Sequence, residues 1–297
     1  MTSSLRSTWE LFREAWKGFQ EDDATQWGAA LAYYTILSFA PLVLILLTVS
    51  RFVYGDAAAR TVILEWAARL FGPQGPDLTR TILERAPESG AAIGIGSGLV
   101  LVFVATRVFA HLQQAMNHVW NVEWKAGGLK GMVRSRLRGF LMVLVLTGLL
   151  VTAMAASAIA AFFAPYADRM LPGSDVYLTA ANFVVTFGVL ILLFASLFRI
   201  LPDVVIAWRD VWVGAAVSAS LFLVGNALLG LYLSRADVGS AWGAAGSFLG
   251  ILVWVYWSAQ VYFFGAEFTE VWAHRRGSTI EPTKQAVRRE ENGPSNE

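Results

Sequence analysis

The sequence predicts an all-α, polytopic integral membrane protein with six transmembrane helices, an N-terminal interfacial amphipathic helix and an external helical loop. Of its 297 residues, 56% are hydrophobic and only 15% are charged, whereas soluble domains average about 45–50% apolar and about 25% charged residues. The excess apolar surface needs an apolar solvent. Six stretches have the roughly 20 residues that a helix needs to cross a hydrocarbon core. They span approximately 29–50, 91–110, 139–164, 178–198, 211–233 and 243–266.

Residues 1–28 predict a cytoplasmic amphipathic helix rather than a signal peptide. No apolar run of about 7–15 residues opens the chain. Instead, apolar side chains recur on one helical face and charged residues occupy the other, which is typical of a helix lying in the membrane interface. The apolar face consists of Leu5, Trp9, Phe12, Trp16 and Phe19.

The loop at about 51–90 is too long and too regularly patterned to be a simple connection. Apolar residues between 62 and 71 share a helical face, and the Gly-Pro pairs at 72–73 and 75–76 end it. A second short helix is predicted at about 77–86. We interpret this loop as an external cap over the transmembrane domain.

The Lys and Arg residues predict the orientation of the spans. The N-terminus, the even-numbered loops and the C-terminal tail contain 15 of them, and the odd-numbered loops contain seven. Because positive residues favour the cytoplasmic side, both termini are predicted to be cytoplasmic. The transmembrane domain is assigned to 29–266. The polar tail at 267–297 shows no periodicity and is predicted to be disordered.

The composition argues against several kinds of chemistry. The chain has no Cys, and its three histidines are not spaced as zinc ligands. Nucleotide-binding and hydrolase motifs are absent in a strand–helix context. The net charge of +1, without clustered Lys and Arg, gives no sign of a nucleic-acid partner. We therefore predict no catalytic residues, no cofactor, no metal ion and no nucleic acid.

Span one carries an unusual run of polar groups. Tyr33, Tyr34 and Ser38 place hydroxyls near its middle. Pro41 has no backbone N–H, and its ring clashes with the preceding helical turn. The carbonyl of that turn therefore loses its hydrogen-bond donor and needs another partner within the lipid. In one interpretation this kinked, hydroxyl-rich helix lines a polar route. In the other it only packs against its neighbours.

Charged and amide side chains near the span ends form a second group of candidates. Arg107, Arg199 and Glu267 end spans two, four and six, and Asn226 and Gln260 continue the polar path into the bilayer. In one interpretation they form a vestibule, in which Glu267 pairs with an arginine and a free guanidinium faces an anionic ligand. In the other, the arginines snorkel to the interface and the amides form interhelical hydrogen bonds.

Paired glycines at GxxxG spacing predict close helix contacts. Gly94 and Gly98 lie in span two, and Gly246 and Gly250 lie in span six. The spacing favours packing within one protomer, and a dimer face is the alternative. A homo-oligomer is therefore left open.

Three ordered motifs resemble the YihY / virulence factor BrkB family of bacterial inner-membrane proteins. They are the run ALAYYTILSFAP at 30–41, the run FRILPD at 198–203 followed by Trp208 and Gly214-Ala215, and Gly246-Ser247 followed by Gly265-Ala266-Glu267. The resemblance covers about residues 20–270 and implies six spans in a bacterial plasma membrane. It also implies a role in transport or in the cell envelope. Some members of the family carry an older label, ribonuclease BN. This sequence lacks the HxHxDH cluster that two-metal ribonuclease chemistry needs.

These observations predict a transporter-like protein that moves or positions an amphiphilic or anionic envelope molecule, such as a phospholipid. Membrane lipids are its expected partners. The alternative is a membrane scaffold for envelope assembly, which transports nothing and docks partners through its glycine faces, external loop or tail. A membrane enzyme is the third hypothesis, and it lacks candidate acid–base or metal residues.

Overall fold

The computed structural model describes residues 2–71, 75–85, 110–124, 174–235, 244–283 and 286–289, with single residues between 137 and 152. Predicted spans two and three lie outside these ranges except for isolated positions. Arg107 and the Gly94–Gly98 pair also lie outside them. The described chain consists of helices, two short strand pairs and brief connections.

The helices are numbered in chain order. They are α1 (Thr2–Glu21), α2 (Ala24–Tyr54), α3 (Asp56–Phe71), α4 (Gly75–Glu84), α5 (Ser174–Ile200), α6 (Trp208–Arg235) and α7 (Ala244–Arg275). Residues 110–119 are also helical. The strands are β1 (Val122–Trp124), β2 (Val204–Val205), β3 (Glu281–Pro282) and β4 (Ala286–Arg288).

Within the described residues, three helices are long and apolar enough to cross a membrane. The segments are Thr179–Ile200, Trp208–Tyr232 and Phe248–Arg275, which correspond to predicted spans four, five and six. Predicted span one falls within α2, a helix of 31 residues, or about 46 Å at 1.5 Å per residue. The prediction of an all-α membrane protein is confirmed.

The chain forms two compact units, and each is described by itself. Unit one comprises residues 1–22, 113–221 and 262–297, and unit two comprises residues 23–112 and 222–261. The boundary at 22–23 falls in the turn between α1 and α2. Helices α6 and α7 each contribute one part to each unit.

In unit two, helices α2, α3 and α4 pack around a common apolar core. Phe39 and Leu47 of α2 meet Ile63 of α3 and Leu83 of α4 in this core. The guanidinium of Arg60 donates to the carbonyl of Leu83 at 3.1 Å and so satisfies a backbone acceptor at the end of α4. The loop at 51–90 thus contains two helices. The second begins two residues earlier than predicted because Pro76 suits the first turn of a helix.

In unit one, helix α1 packs on α7 with a face that differs in part from the predicted one. Leu11 and Ala15 are buried in a cluster with Phe268. Trp9 and Trp16 remain 72% and 52% exposed, as expected for indoles at an interface. The helix is therefore both a surface helix and part of the folded unit.

The prediction of a disordered tail is wrong for the described residues 267–283 and 286–288. Helix α7 continues to Arg275, and strands β3 and β4 follow it. Strand β4 pairs with β1, and β3 pairs with β2, both antiparallel. These strands are too short to show a hydrophobic period, so the pattern of the tail could not indicate them. These residues are ordered because they pair with strands in two loops.

Candidate functional site

Aromatic contacts hold helix α1 against helix α7. The ring of Phe12 lies 6.1 Å from that of Phe264 and 5.1 Å from that of Phe268, and Phe19 lies 6.2 Å from Phe264. Aromatic pairs of this kind contribute about 0.5–1.5 kcal/mol each beyond the area they bury. This docking fixes the end of α1 beside the middle of α7.

A tight turn then aims the carboxyl of Asp22 at α7. The backbone N–H of Asp22 donates to the carbonyl of Gly18 at 2.9 Å. Asp23 has a φ of +49°, a left-handed conformation that Asp visits more readily than most residues. A Cβ at position 18 would stand 2.5 Å from Oε2 of Glu267. The absence of a side chain at Gly18 therefore lets the Glu267 carboxyl reach the end of α1.

Asp22 and Glu267 form a carboxyl pair. Their side chains are hydrogen-bonded to each other, and Glu267 is only 3% exposed. A hydrogen bond between two carboxyl groups requires a proton between them, because two adjacent carboxylates repel. Oε1 of Glu267 has no hydrogen-bond partner among the described residues. The site can thus hold one proton.

Charged groups from several elements surround the pair. Glu21 of α1 and Glu270 of α7 add negative charge, and His118 and Arg289 add positive charge. Burial raises the pKa of Asp22 above its ordinary value of 3.8, and Glu21 acts in the same direction. The hydrogen bond with Glu267 and the charges of His118 and Arg289 oppose this rise.

The raised pKa of Asp22 predicts a stability that depends on pH. Between pH 3.8 and the folded pKa, the folded state binds a proton that the unfolded state has lost, so stability falls as the pH rises through this interval. Asp22→Asn should remove that part of the dependence. Thermal unfolding in detergent from about pH 4 to about pH 8 measures it. Parallel pH profiles for the wild type and Asp22→Asn would contradict the assignment.

A second buried carboxylate, Asp203, anchors the connection between α5 and α6. Oδ2 of Asp203 accepts hydrogen bonds from the side-chain amides of Gln113 and Asn117, each at 2.9 Å. The Asp203 N–H donates to Oδ1 of Asn117 at 2.8 Å, and its carbonyl accepts from the N–H of Thr283 at 2.9 Å. This group ties helix 110–119 and the tail to one loop, so its role is structural.

Two residues of the predicted vestibule, Arg199 and Glu267, lie in unit one, and each has other contacts there. The Arg199 guanidinium donates to the carbonyl of Ile206 and lies 5.8 Å from the ring centroid of Trp208. It is therefore engaged by its own connection. Glu267 interacts with acidic groups, and no arginine contacts it among the described residues. A pair of Glu267 with Arg107, which lies outside the described residues, stays a prediction.

Other predicted residues lie in unit two. Asn226 accepts a hydrogen bond from the indole N–H of Trp254 at 2.7 Å, which matches the interhelical alternative. Gln260 packs against Gly28, and its amide atoms are buried without a hydrogen-bond partner among the described residues.

Of the two tyrosines of span one, Tyr34 lies near a histidine of the same unit. The Tyr34 ring is 5.3 Å from the His111 ring, and the ring of Trp27 is 5.1 Å from it. Tyr33 is 57% exposed. The side chains of Ser38 and Pro41 lie outside the described set, although helix α2 is continuous across both positions.

Sequence reasoning missed Asp22, Gly18 and Asp203. Asp22 and Gly18 belong to a helix that the pattern places at the membrane surface, and only the tertiary contact with α7 reveals their role. Asp203 was part of a family motif without an assigned function. The sequence contained one indication of its role. Asp203 is a carboxylate just after the apolar end of a span, and a short connection follows it. Within the described residues, no three His, Asp or Glu side chains are arranged to hold a metal ion.

The fold defines the class of the protein: it is an all-α integral membrane protein, and buried carboxyl and amide groups lie within its described helices. The chain belongs to the virulence factor BrkB family, whose model matches residues 15–290. This confirms the resemblance carried by the three motifs.

The chain is similar to several bacterial membrane proteins. It is 23% identical to a UPF0761 membrane protein of Alteromonas mediterranea over 262 residues, which cover 88% of this chain and 86% of the relative. It is 27% identical to a UPF0761 membrane protein of Aliivibrio salmonicida over 273 residues, which cover 90% of this chain and 84% of the relative. It is 24% identical to a UPF0761 membrane protein of Tolumonas auensis over 259 residues, which cover 86% of this chain and 82% of the relative. No solved structure matches the chain.

Proposed function

We propose that the protein is a transporter-like component of the bacterial inner membrane, with both termini in the cytoplasm. It moves or positions an amphiphilic or anionic envelope molecule, such as a phospholipid. The proposal assigns no catalytic step and no cofactor to the chain. Its partners are the surrounding lipids and the molecule that it moves.

The carboxyl pair of Asp22 and Glu267 is the observation that carries this proposal. An ionisable residue within an apolar helix is energetically expensive, and such residues commonly belong to ion, proton or substrate pathways. Glu267 lies inside the candidate span Phe248–Arg275 and is buried beside a second carboxyl. Apolar side chains could form a purely structural contact at a lower desolvation free energy.

Arg199 keeps its place in the proposal as a residue that can meet an anionic ligand. Its guanidinium donates one hydrogen bond to the carbonyl of Ile206, and a guanidinium has five N–H donors. The proposal relies on the carboxyl pair for coupling. Recognition of the transported molecule is assigned to the polar groups of unit two, among which the Gln260 amide has no hydrogen-bond partner in the described residues.

Glu267→Gln and Asp22→Asn test the proposal directly. Each amide keeps a hydrogen bond across the pair but removes a proton-binding carboxyl. In a strain that lacks the gene, both variants should insert normally. We expect each to lower the rescue of envelope permeability and of lipid leaflet distribution about ten-fold.

Asp77→Asn is the matched control, because Asp77 is an exposed carboxylate in α4. It should rescue the strain as well as the wild type does. Full rescue by Glu267→Gln and Asp22→Asn would argue against transport through this pair. That result would favour the scaffold alternative, for which the exposed Trp9 and Trp16 of α1 offer a docking face.

A further inference from the structure

Helix α1 crosses helix α7 instead of running along it. The rings of Phe12 and Phe19 are seven residues apart on α1, yet they lie 6.1 Å and 6.2 Å from the ring of the same residue, Phe264. Leu11 and Ala15, between them around the helix, meet α7 one turn further on. The two long edges of α1 therefore face different levels of α7.

The aromatic edge of α1 faces the interior of the candidate span, and the acidic edge faces its end. The ring of Trp16 lies 6.4 Å from the ring of Phe264. On the opposite edge, Oε1 of Glu14 lies 2.6 Å from Nη2 of Arg275, the last residue of the span. Phe264 and Arg275 are eleven residues apart, or about 16 Å along the helix axis. Across its width, α1 thus extends from the apolar part of α7 to its polar end.

The side of α1 that faces away from α7 changes in character from one edge to the other. Trp16 and Trp9 come first, beside the aromatic edge, and they are 52% and 72% exposed. The exposed side chains of Arg13 and Lys17 follow around the helix, and glutamates complete the turn. Together with Gln20, which lies between Trp9 and Arg13 around the helix, these four residues form what we call the outer stripe.

The acidic residues of α1 do not neutralise the outer stripe. Arg275 lies near both Glu14 and Glu10, whose Oε2 is 3.7 Å from its Nη1. Lys17 is paired with Glu21 at 3.2 Å, but both side chains are more than half exposed, and such a pair contributes little. Arg13 has no ion pair among the described residues. The stripe thus offers cations to an anionic ligand.

The order of these side chains matches the order of layers in a membrane interface. Indole rings favour the level of the headgroups. Long cationic side chains extend their charge to the phosphate level, where a guanidinium can bind two phosphate oxygens at once. Carboxylates favour water. Both orders run in the same direction, from the interior of the span towards its end.

We propose that the outer stripe binds the headgroup phosphate of an anionic phospholipid, in the leaflet at the C-terminal end of α7. Trp9 and Trp16 insert beside the glycerol backbone, and Arg13 and Lys17 contact the phosphate. A lipid with net negative charge is favoured because the stripe combines two cations with two indoles. The site goes beyond the proposed function, since it requires no transport.

This assignment differs from the lipid-facing surface that the sequence predicts for α1. The helical pattern places Phe12 and Phe19 on one face with the two indoles. In the structure these phenylalanines pack against α7, and Phe19 is only 4% exposed. The lipid contact is therefore left to the indoles and to the cations that follow them around the helix.

Native mass spectrometry of the purified protein measures the affinity for phosphatidylglycerol and for phosphatidylcholine with the same acyl chains. The wild type should bind phosphatidylglycerol more tightly. Arg13→Gln with Lys17→Gln should bind it about ten-fold more weakly than the wild type, with the affinity for phosphatidylcholine unchanged. The exchange Arg13→Lys with Lys17→Arg keeps both charges and should bind like the wild type. Arg80→Gln removes an exposed arginine of α4 and should also have no effect.

A spin label tests the direction of the stripe in a bilayer. The chain contains no Cys, so Gln20→Cys and Glu21→Cys each provide one labelling site. In phosphatidylglycerol vesicles, the label at position 20 should collide more often with oxygen, which partitions into lipid. The label at position 21, on the acidic side, should collide more often with a water-soluble nickel chelate.

Equal affinity of the wild type and of Arg13→Gln with Lys17→Gln for phosphatidylglycerol would overturn the site. Equal collision rates of the two labels with the nickel chelate would also contradict it, and would leave the indoles to a partner protein. If the double variant failed to fold, loss of phosphatidylglycerol preference in the single variant Arg13→Gln would decide the question. Neither measurement depends on transport, so this site and the proposed function can fail separately.

Discussion

Replacing Asp203 with alanine is expected to destabilise the protein by about 2–6 kcal/mol, because two buried amide donors lose their acceptor. Asp203 is fully buried, and its carboxylate is the acceptor for the amides of Gln113 and Asn117. Both of these side chains are themselves buried. Each amide left without an acceptor adds about 1–3 kcal/mol to the loss.

Chemical unfolding in detergent, monitored by tryptophan fluorescence, measures this loss. Asp203→Asn is the conservative comparison, because its carbonyl oxygen still accepts from one amide, so a smaller loss is expected. Asp77→Ala is the matched control: Asp77 is exposed, and its contact with Arg80 is a 3.8 Å surface ion pair, worth at most about 1 kcal/mol. An Asp203→Ala protein as stable as Asp77→Ala would show that the amides find other acceptors.

The same substitution should loosen the tail. Asp203 positions the connection whose carbonyl accepts from the N–H of Thr283, next to the β2–β3 pair. If the carboxylate anchors this connection, the amide hydrogen of Thr283 should exchange faster in Asp203→Ala than in the wild type under native conditions. Equal exchange in the two proteins would show that the tail is held without this carboxylate.

The features that could be predicted from the sequence are those that depend on the residues of a single helix. The length and hydropathy of α5, α6 and α7 indicated membrane helices directly. The two helices of the first loop were predictable because an apolar face and two Gly-Pro pairs mark them. In these cases each residue's environment follows from its neighbours three or four positions away.

The carboxyl pair was not predictable in this way. Asp22 and Glu267 lie near opposite ends of the chain, and each looks like an ordinary charge at the edge of an apolar stretch. Only the docking of α1 on α7 through Phe12 and Phe264 brings them together. Glu267 was a candidate in the sequence, but its partner was expected to be a cation. Without the tertiary contact, charge complementarity favoured an arginine over a second carboxyl group.

The spacing of the glycines also predicted the helix contacts only in part. The GxxxG pairs were the visible pattern, yet the tight contact described between α6 and α7 uses glycine paired with a hydroxyl residue. Gly214 faces Thr269, and Gly265 faces Ser218. The hydroxyls of Ser218 and Thr269 donate to the carbonyls of Gly214 and Gly265, four residues earlier on the same helix. Their polar groups are thus satisfied internally, and the surface that they present is small and apolar.

Gly265→Leu is therefore expected to destabilise the protein by about 3 kcal/mol or more, the upper end for overpacking. Even a Cβ at position 265 would overlap Ser218 Oγ and stand 3.0 Å from Ser218 Cβ and 3.1 Å from Phe198 Cζ. A leucine adds three more carbon atoms in the same direction. Because backbones approach closely only where side chains are small, α6 and α7 must separate to accept it.

Two comparisons make the Gly265 result specific. Gly188→Leu introduces the same side chain into α5, where a Cβ meets nothing within 4 Å among the described residues. It should be neutral or slightly stabilising, because leucine favours a helix more than glycine does, by about 1 kcal/mol.

Gly265→Ala combined with Ser218→Gly exchanges the small and larger positions, and it should recover most of the loss of Gly265→Ala alone. Thermal unfolding in one detergent compares these four variants with the wild type. If Gly188→Leu and Gly265→Leu were equally destabilising, the loss would come from the added leucine itself and not from the contact between α6 and α7. If instead the exchange restores stability, Gly265 of the GAE motif acts within the chain, and it is not available as a docking surface for a scaffold.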